Sequence, residues 1–317
     1  MKLKSFLLIF LFSSFSIFAE RNQNITFSIQ PDIGFSLSTY DEKFYSDMGK
    51  QKEVSYLKWE TKPLYSLGFE TNLRIYNFVI NTGFDYALPV TCGNMYDSDY
   101  DSFSDLQYCY SISELKSKIC IHSNIDFAYN LAFTKSLSFL PKISLYYYYD
   151  FFEARNGYGW YGMETNKHPL VSWDDSRARY FEKGTLNGVD FYRHSVFSFF
   201  GFELNYKKKS FCIGGEVQIS PYAYFYTMDH HLSKSGGYHF KQIQESSFNY
   251  IFLSLHCSYS FRKNLVPVLE VSHLSGDISK GKLYSDIEDS ELVLISQKSG
   301  GGLKSTVFKI GMLFPVY

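Results

Sequence analysis

The chain has 317 residues, a formal net charge of -1 and 20% aromatic residues. The near-neutral charge argues against nucleic acid as a partner, and five cysteines without a CxxC motif argue against a zinc site or a disulfide framework. The excess of tyrosine and phenylalanine is typical of membrane barrels, which need apolar outward faces and aromatic belts at both interfaces.

The N-terminus predicts a signal peptide over residues 1–19. Lys2 and Lys4 precede a short apolar run, and Ala19 offers a small residue for cleavage before Glu20. A membrane anchor is the alternative, but the run is short against the roughly 20 residues that a spanning helix needs. We therefore expect an exported chain with one domain over residues 20–317.

An acidic segment, GNMYDSDYD, follows the apolar run FDYALPV. Asp97 and Asp99 are two residues apart, so in a strand both side chains point to the same face. The EF-hand pattern fails because Ser102 stands where it needs glycine and Tyr108 where it needs glutamate. A solvated acidic loop remains the simplest alternative, and a disulfide between Cys92 and Cys109 across this segment stays open.

Strand patterns dominate the rest of the chain. In FSFFGFELNY, the apolar residues Phe200, Phe202 and Leu204 alternate with small or polar ones, and a polar KKKS turn follows. The runs FCIGGEVQIS and YIFLSLHCSYSF alternate in the same way. A helical period fits none of these runs, so the sequence predicts an all-β fold.

The connections between these strands alternate between short and long, a pattern that predicts a barrel. Four short turns lie near Arg74–Asn77, Thr134–Ser136, Lys207–Ser210 and Arg262–Asn264, and five longer polar segments lie near Tyr40–Glu53, Thr91–Leu115, Arg155–Asp190, Thr227–Gln244 and Ser275–Lys304. Nine connections join ten strands, and short periplasmic turns opposite long outer loops are typical of bacterial barrels. We predict a ten-stranded antiparallel transmembrane β-barrel with long extracellular loops; a two-sheet soluble sandwich is the alternative.

A second pair of chemically active residues lies at another junction of strand and loop. Asp229 and His231, in the segment MDHH, have the same two-residue spacing as the aspartate pair. Glu216 and Gln218 place the polar face of this strand at even positions, so regular pleating would point Asp229 and His231 outward. A bulge at Pro221 would reverse the alternation, and we predict one there.

Together the two pairs predict hydrolysis. Asp229 can accept the imidazole N–H of His231, which can then take a proton from water as general base. Crowding keeps one of the two carboxyl groups of Asp97 and Asp99 protonated, so that it can orient the water or polarise a carbonyl. The absence of a GxSxG motif favours activated water over a covalent nucleophile, and we expect no metal and no cofactor.

These residues resemble the omptin family, the outer-membrane proteases of Gram-negative bacteria. GNMYDSDYD is similar to the family's first catalytic segment, MDHH to its Asp-x-His dyad, and VSYLKW to its Ser-x-Leu-x-Trp strand. The resemblance implies an endopeptidase in which Asp97, Asp99, Asp229 and His231 are catalytic. The expected partners are peptide or protein substrates and outer-membrane lipid.

The resemblance also bears on specificity. Glu42 is similar to an acidic residue that binds substrate in omptins, which typically cut beside basic residues. The second pocket acid should lie two residues before Asp229, where this chain has Thr227. The basic motif for lipid A is not evident, so the sequence does not predict lipopolysaccharide binding. A barrel without catalysis, acting as an adhesin or surface-binding protein, is the alternative function, and a pore is a further one.

Overall fold

The computed structural model describes residues 25–46, 52–162, 169–232, 237–262, 265–287 and 292–316. The signal peptide predicted over residues 1–19 lies outside them. Within these ranges, no helix has the length and apolarity to cross a membrane. The strands are β1 (Ile25–Tyr45), β2 (Glu53–Ile75), β3 (Phe78–Ala87), β4 (Thr91–Tyr100), β5 (Gln107–Tyr129), β6 (Leu131–Ala132), β7 (Leu137–Tyr161), β8 (Arg179–Leu186), β9 (Val189–Lys208), β10 (Phe211–His231), β11 (Tyr238–Ser246), β12 (Tyr250–Tyr259), β13 (Val266–Gly276), β14 (Ser279–Ile287) and β15 (Val293–Val316).

The strands form a closed antiparallel ring with ten positions. β3 and β4 share one position between β2 and β5, β11 and β12 share one beside β10, and β13 and β14 share one beside β15. β15 then pairs with β1 and closes the ring. The predicted ten-stranded antiparallel barrel is confirmed. The long polar segments differ from the prediction in detail, because strands continue well into each of them.

The lower part of the barrel carries an exposed apolar band, as expected of a surface in contact with lipid. The strand alternation predicted from FSFFGFELNY is correct, since Phe200, Phe202 and Leu204 all lie outward and exposed. Exposed tyrosines flank the band on both sides. They are Tyr76, Tyr129, Tyr206 and Tyr259 towards the short turns, and Tyr65, Tyr86, Tyr147 and Tyr222 towards the other end.

Several strands change their alternation just above this band. In β2 an extra residue at Lys62–Pro63 shifts the register against β1, and β5 has another near Lys118 against β7. β-bulges of this kind exchange the inward and outward faces of a strand. Within such a strand, the inward-facing residues therefore change between odd and even positions just above the membrane band.

The interior is divided into two compartments by packed aromatic rings. We call this layer the aromatic plug; its members are Tyr40, Trp59, Phe152, Phe191, Phe197, Phe225 and Tyr250, all buried. Trp59 stacks on Phe191 at 4.5 Å between ring centroids, and Phe197 meets Tyr250 edge to face at 5.1 Å. Below the plug, a polar cavity of about 630 Å³ extends towards the short turns. Above it lie the residues predicted to carry chemistry.

Candidate active site

The aspartate pair lies on β4, above the membrane band. Leu57 is the register partner of Asp97 in β2, and it is fully buried in the interior. Asp99 pairs with Ser55 on one side and with Cys109 on the other. Because residues paired across a ladder share a face, Asp97 and Asp99 both point inward. The acidic segment is therefore ordered strand, and the alternative of a solvated loop is wrong.

The Asp229–His231 pair points inward because of a β-bulge. Ile219 pairs with Phe200 and Tyr222 with Ser198, so β10 has one residue more than β9 between these points. Below the bulge the even-numbered Gln218 is buried, whereas above it the odd-numbered Asp229 is buried. The bulge predicted at Pro221 is confirmed, and it places Asp229 and His231 inside the same rim as the aspartate pair.

Glu42 lies at the base of this cleft, on β1, and is fully buried. The indole Nε1 of Trp59 donates to its Oε2 at 2.9 Å, and the amide Nε2 of Gln242 donates to its Oε1 at 3.0 Å. Gln244 in turn donates to Gln242 at 2.5 Å. Trp59 and Gln242 therefore both donate to Glu42, an arrangement that stabilises its ionised carboxylate, whereas Gln244 fixes the orientation of Gln242.

Asp229 lies against Glu42. Neither of its carboxylate oxygens receives a hydrogen bond from a described donor. Burial raises the pKa of Asp229 well above its usual range, and the adjacent Glu42 carboxylate raises it further, with a contribution from Asp97. Two carboxyl groups in contact can pair only through a proton, and both donors already point to Glu42. Asp229 therefore carries the proton that the two groups share.

The predicted hydrogen bond from His231 to Asp229 is not formed in this structure. The Nε2 of His231 is buried and has no hydrogen-bond partner among the described residues. The ring meets Phe240 edge to face at 5.1 Å. Burial, together with a smaller contribution from the neighbouring His230, lowers the pKa of His231 to about 4. The imidazole is therefore neutral at physiological pH and free to accept a proton.

The aspartate pair is coupled in the same way. Burial raises the pKa of Asp97 well above its usual range, and the negative charge of Asp99 adds to the effect. Burial also raises the pKa of Asp99, although hydrogen bonds from Ser55 and Cys109 oppose the shift. One of the two carboxyl groups is therefore protonated near neutral pH, as predicted from their spacing.

The same corner has donor atoms that could hold a metal ion. One ligand atom from each of Asp97, Asp99 and Cys109 lies within 4.8 Å of the others. However, a thiol binds metals as the thiolate, and burial together with the two carboxylates raises the pKa of Cys109. The donor set therefore fits a metal poorly.

All five cysteines are free thiols, so a Cys92–Cys109 disulfide is wrong.

Sequence reasoning missed three residues of the cleft floor: Gln242, Gln244 and Arg193. Gln242 and Gln244 have the same i, i+2 spacing as the two pairs predicted to carry chemistry, a signal that was available in the sequence. Arg193 is fully buried between Tyr40 and Phe225, with its guanidinium carbon 4.4 Å from the Phe225 ring centroid. Its Nη1 donates to the carbonyl oxygen of Gly302 at 2.8 Å. Burial raises the pKa of Glu42, and the positive charge of Arg193 opposes this effect.

Comparison with known proteins places this geometry in context. A family model described as the Omptin family matches residues 23–315. The chain is similar to the crystal structure of the outer membrane protease OmpT from Escherichia coli, with a TM-score of 0.80 and 15% identity over 92% of this chain and 96% of that chain. It also matches the outer membrane protein OprG from Pseudomonas aeruginosa at a TM-score of 0.37, with 9% identity over 92% and 95% of the two chains. No curated protein matches the sequence.

Proposed function

The chain belongs to the Omptin family, a family of outer-membrane proteases, and we propose that it is an endopeptidase that uses an activated water. The proposed water lies between the Asp97–Asp99 pair and the Asp229–His231 pair. The observation that carries this proposal is the bulge at Ser220–Pro221, which turns the second pair into the cleft that the first pair faces. The charge of Asp97 reaches Asp229, so the two pairs act on one region of space.

His231 is the proposed general base. Its imidazole is neutral because burial lowers its pKa, and a neutral ring can take a proton from water as the water attacks the peptide carbonyl. The imidazolium that forms needs a nearby anion. The proton shared by Asp229 and Glu42 can move fully onto Glu42, which leaves Asp229 ionised and able to stabilise His231. The resting structure, in which Asp229 is protonated, then precedes the state that performs chemistry.

The aspartate pair has a complementary role in this proposal. Its protonated member donates a hydrogen bond to the developing oxyanion, and its ionised member orients the attacking water. Ser55 and Cys109 hold Asp99, so Asp97 is the member better placed to change its protonation state during the reaction.

We propose peptides and proteins as substrates, with a modest preference for basic residues. Glu42 gives the cleft floor a negative charge, but two donors already satisfy this carboxylate. Thr227, at the second pocket position, adds no charge. A positively charged substrate side chain would therefore gain less binding free energy here than in a pocket with two free carboxylates.

We also propose that the cleft faces the cell exterior, because short turns lie on the periplasmic side of bacterial barrels.

The second candidate function is an outer-membrane barrel that binds surface ligands without cleaving them. The missing hydrogen bond between Asp229 and His231 favours it. A pore is disfavoured because the aromatic plug blocks the interior.

The deciding experiment incubates the detergent-folded protein with a peptide library and identifies the cleaved bonds by mass spectrometry. Cleavage by the wild-type chain that His231→Ala abolishes would support the protease. Binding of peptides without cleavage by either protein would support the surface-binding alternative.

A further inference from the structure

The cavity below the aromatic plug contains a second group of buried carboxylates, remote from the cleft. Asp32 on β1, Gly68 on β2 and Asp85 on β3 are register neighbours across three adjacent strands. Asp85 lines the cavity, and Asp32 is 6% exposed beside it. No part of the proposed peptidase chemistry uses these residues.

Two of their oxygens converge over the glycine. The Oδ1 of Asp32 lies 2.8 Å from the point where a Cβ on Gly68 would stand, and the Oδ1 of Asp85 lies closer still. The backbone oxygen of Phe84 is also 2.8 Å from that point. A side chain at position 68 would fill this space, so glycine leaves a small cradle surrounded by three oxygen atoms.

Three of the four carboxylate oxygens of Asp32 and Asp85 lack a hydrogen-bond partner among the described residues. Both oxygens of Asp32 and the Oδ1 of Asp85 are buried, and no described group donates a hydrogen bond to them. Lys309 is bonded elsewhere: its Nζ contacts the other oxygen of Asp85 at 2.9 Å and Glu70 at 3.3 Å. Buried carboxylates in native proteins are paired or bind cations. The single charge of Lys309 is shared between Asp85 and Glu70, and no described donor reaches the two oxygens that converge over Gly68.

We propose that a hard divalent cation, Ca²⁺ or Mg²⁺, binds between Asp32 and Asp85 over Gly68. Such ions prefer carboxylate, carbonyl and water oxygens, and the cradle offers the first two. The cavity supplies the water and the route, since its lining continues to Thr134, Lys135 and Ser136 at the short-turn end. The bound ion would tie β1 to β3 across β2 inside the membrane-spanning part of the barrel.

Calorimetric titration tests this proposal on the full chain, folded in detergent and stripped of metal with a chelator. CaCl₂ and MgCl₂ are titrated separately. We expect one cation per chain in the wild type, and affinity at least tenfold weaker in Asp32→Asn. Asp174→Asn is the control: it removes an exposed acid outside the cavity, and this variant should bind the cation as the wild type does.

Heat-modifiability on gels gives a second readout that separates lost binding from lost folding. The temperature at which the wild-type barrel unfolds should rise with the cation, and that of folded Asp32→Asn should not respond. Suppose that the cation does not raise the unfolding temperature of the wild type, and that Asp32→Asn unfolds at a higher temperature than the wild type. The two carboxylates would then share a proton, and the proposal would be overturned. Equal cation affinity in the wild type and Asp32→Asn would overturn it as well.

Discussion

The Asp229 carboxyl lies against the Glu42 carboxylate, while the imidazole of His231 has no bond to it. Trp59 and Gln242 direct their N–H groups to Glu42, so the negative charge resides there and the proton on Asp229. The resting cleft therefore stores a proton next to a neutral base, and the proposed reaction begins by redistributing it.

Removing the proposed catalytic groups should abolish cleavage and leave the barrel intact. We expect Asp97→Ala, Asp229→Ala and His231→Ala each to lower kcat/KM by about 10²–10⁴-fold, the usual contribution of a general acid or base. His230→Ala is the matched control, because His230 lies on the opposite face and stacks on His239. Peptide cleavage and heat-modifiability are measured together. Full activity in His231→Ala would refute the assignment.

Glu42→Gln should shift the pH dependence of cleavage. The Glu42 carboxylate raises the pKa of Asp229, so a neutral amide at position 42 should lower that pKa. Asp229 would then ionise at lower pH, and the acidic limb of the profile of kcat/KM against pH should move down by about one unit. Asp174→Asn, a change in an exposed loop acid, should leave the profile unchanged. Identical profiles for Glu42→Gln and the wild type would show that Glu42 does not control Asp229.

Asp229→Asn should stabilise the barrel at high pH but not at low pH. Burial raises the pKa of Asp229 above its ordinary value of 3.8, so the folded chain keeps this proton to higher pH than the unfolded chain. The stability contribution is fully present below pH 3.8 and is lost as pH rises towards the folded pKa. A neutral asparagine avoids that loss. We expect an unfolding midpoint about 2–4 °C higher than the wild type at pH 8, and no difference at pH 3.5; equal midpoints at both pH values would contradict this.

The bulge in β10 makes a further prediction. Deleting Pro221 should restore regular pleating and turn Asp229 and His231 outward, so cleavage should disappear. Pro221→Ala keeps the extra residue, and we expect it to retain most of the activity. Both proteins are compared with the wild type by peptide cleavage and by heat-modifiability. A folded deletion variant that still cleaves would mean that the bulge does not orient the pair.

Chelation should leave cleavage unaffected. The proposed water is activated by His231, and the thiol of Cys109 is held neutral beside the aspartate pair. We expect unchanged rates after EDTA treatment and in Cys109→Ser. A large loss on chelation that Zn²⁺ restores would instead assign the group Asp97, Asp99 and Cys109 to a metal.

The sequence predicted the barrel because lipid imposes one strict rule on the band it contacts. Phe200, Phe202 and Leu204 must all lie outward there, and their alternation with small or polar residues can be recognised in the sequence alone. In β4 polar residues lie on both faces, so the alternation fades, and the strand at Asp97 was not distinguishable from a loop by periodicity.

The bulge in β10 was predictable because the polar residues Glu216 and Gln218 have even numbers, whereas Asp229 and His231 on the same strand have odd numbers. The corresponding shift at Lys62–Pro63 in β2 produced no such conflict, so the inward position of Trp59 came only from the structure. The contact between Glu42 and Asp229 was not predictable either. It depends on the relative heights of β1 and β10, which the stagger of the closed sheet sets.

The aromatic plug has a consequence for the cell that carries this protein. A hollow cylinder of this kind would let small solutes leak across the envelope in proportion to its abundance. Since rings from Tyr40 to Tyr250 seal the interior, many copies can populate the surface while the permeability barrier against detergents and antibiotics stays intact.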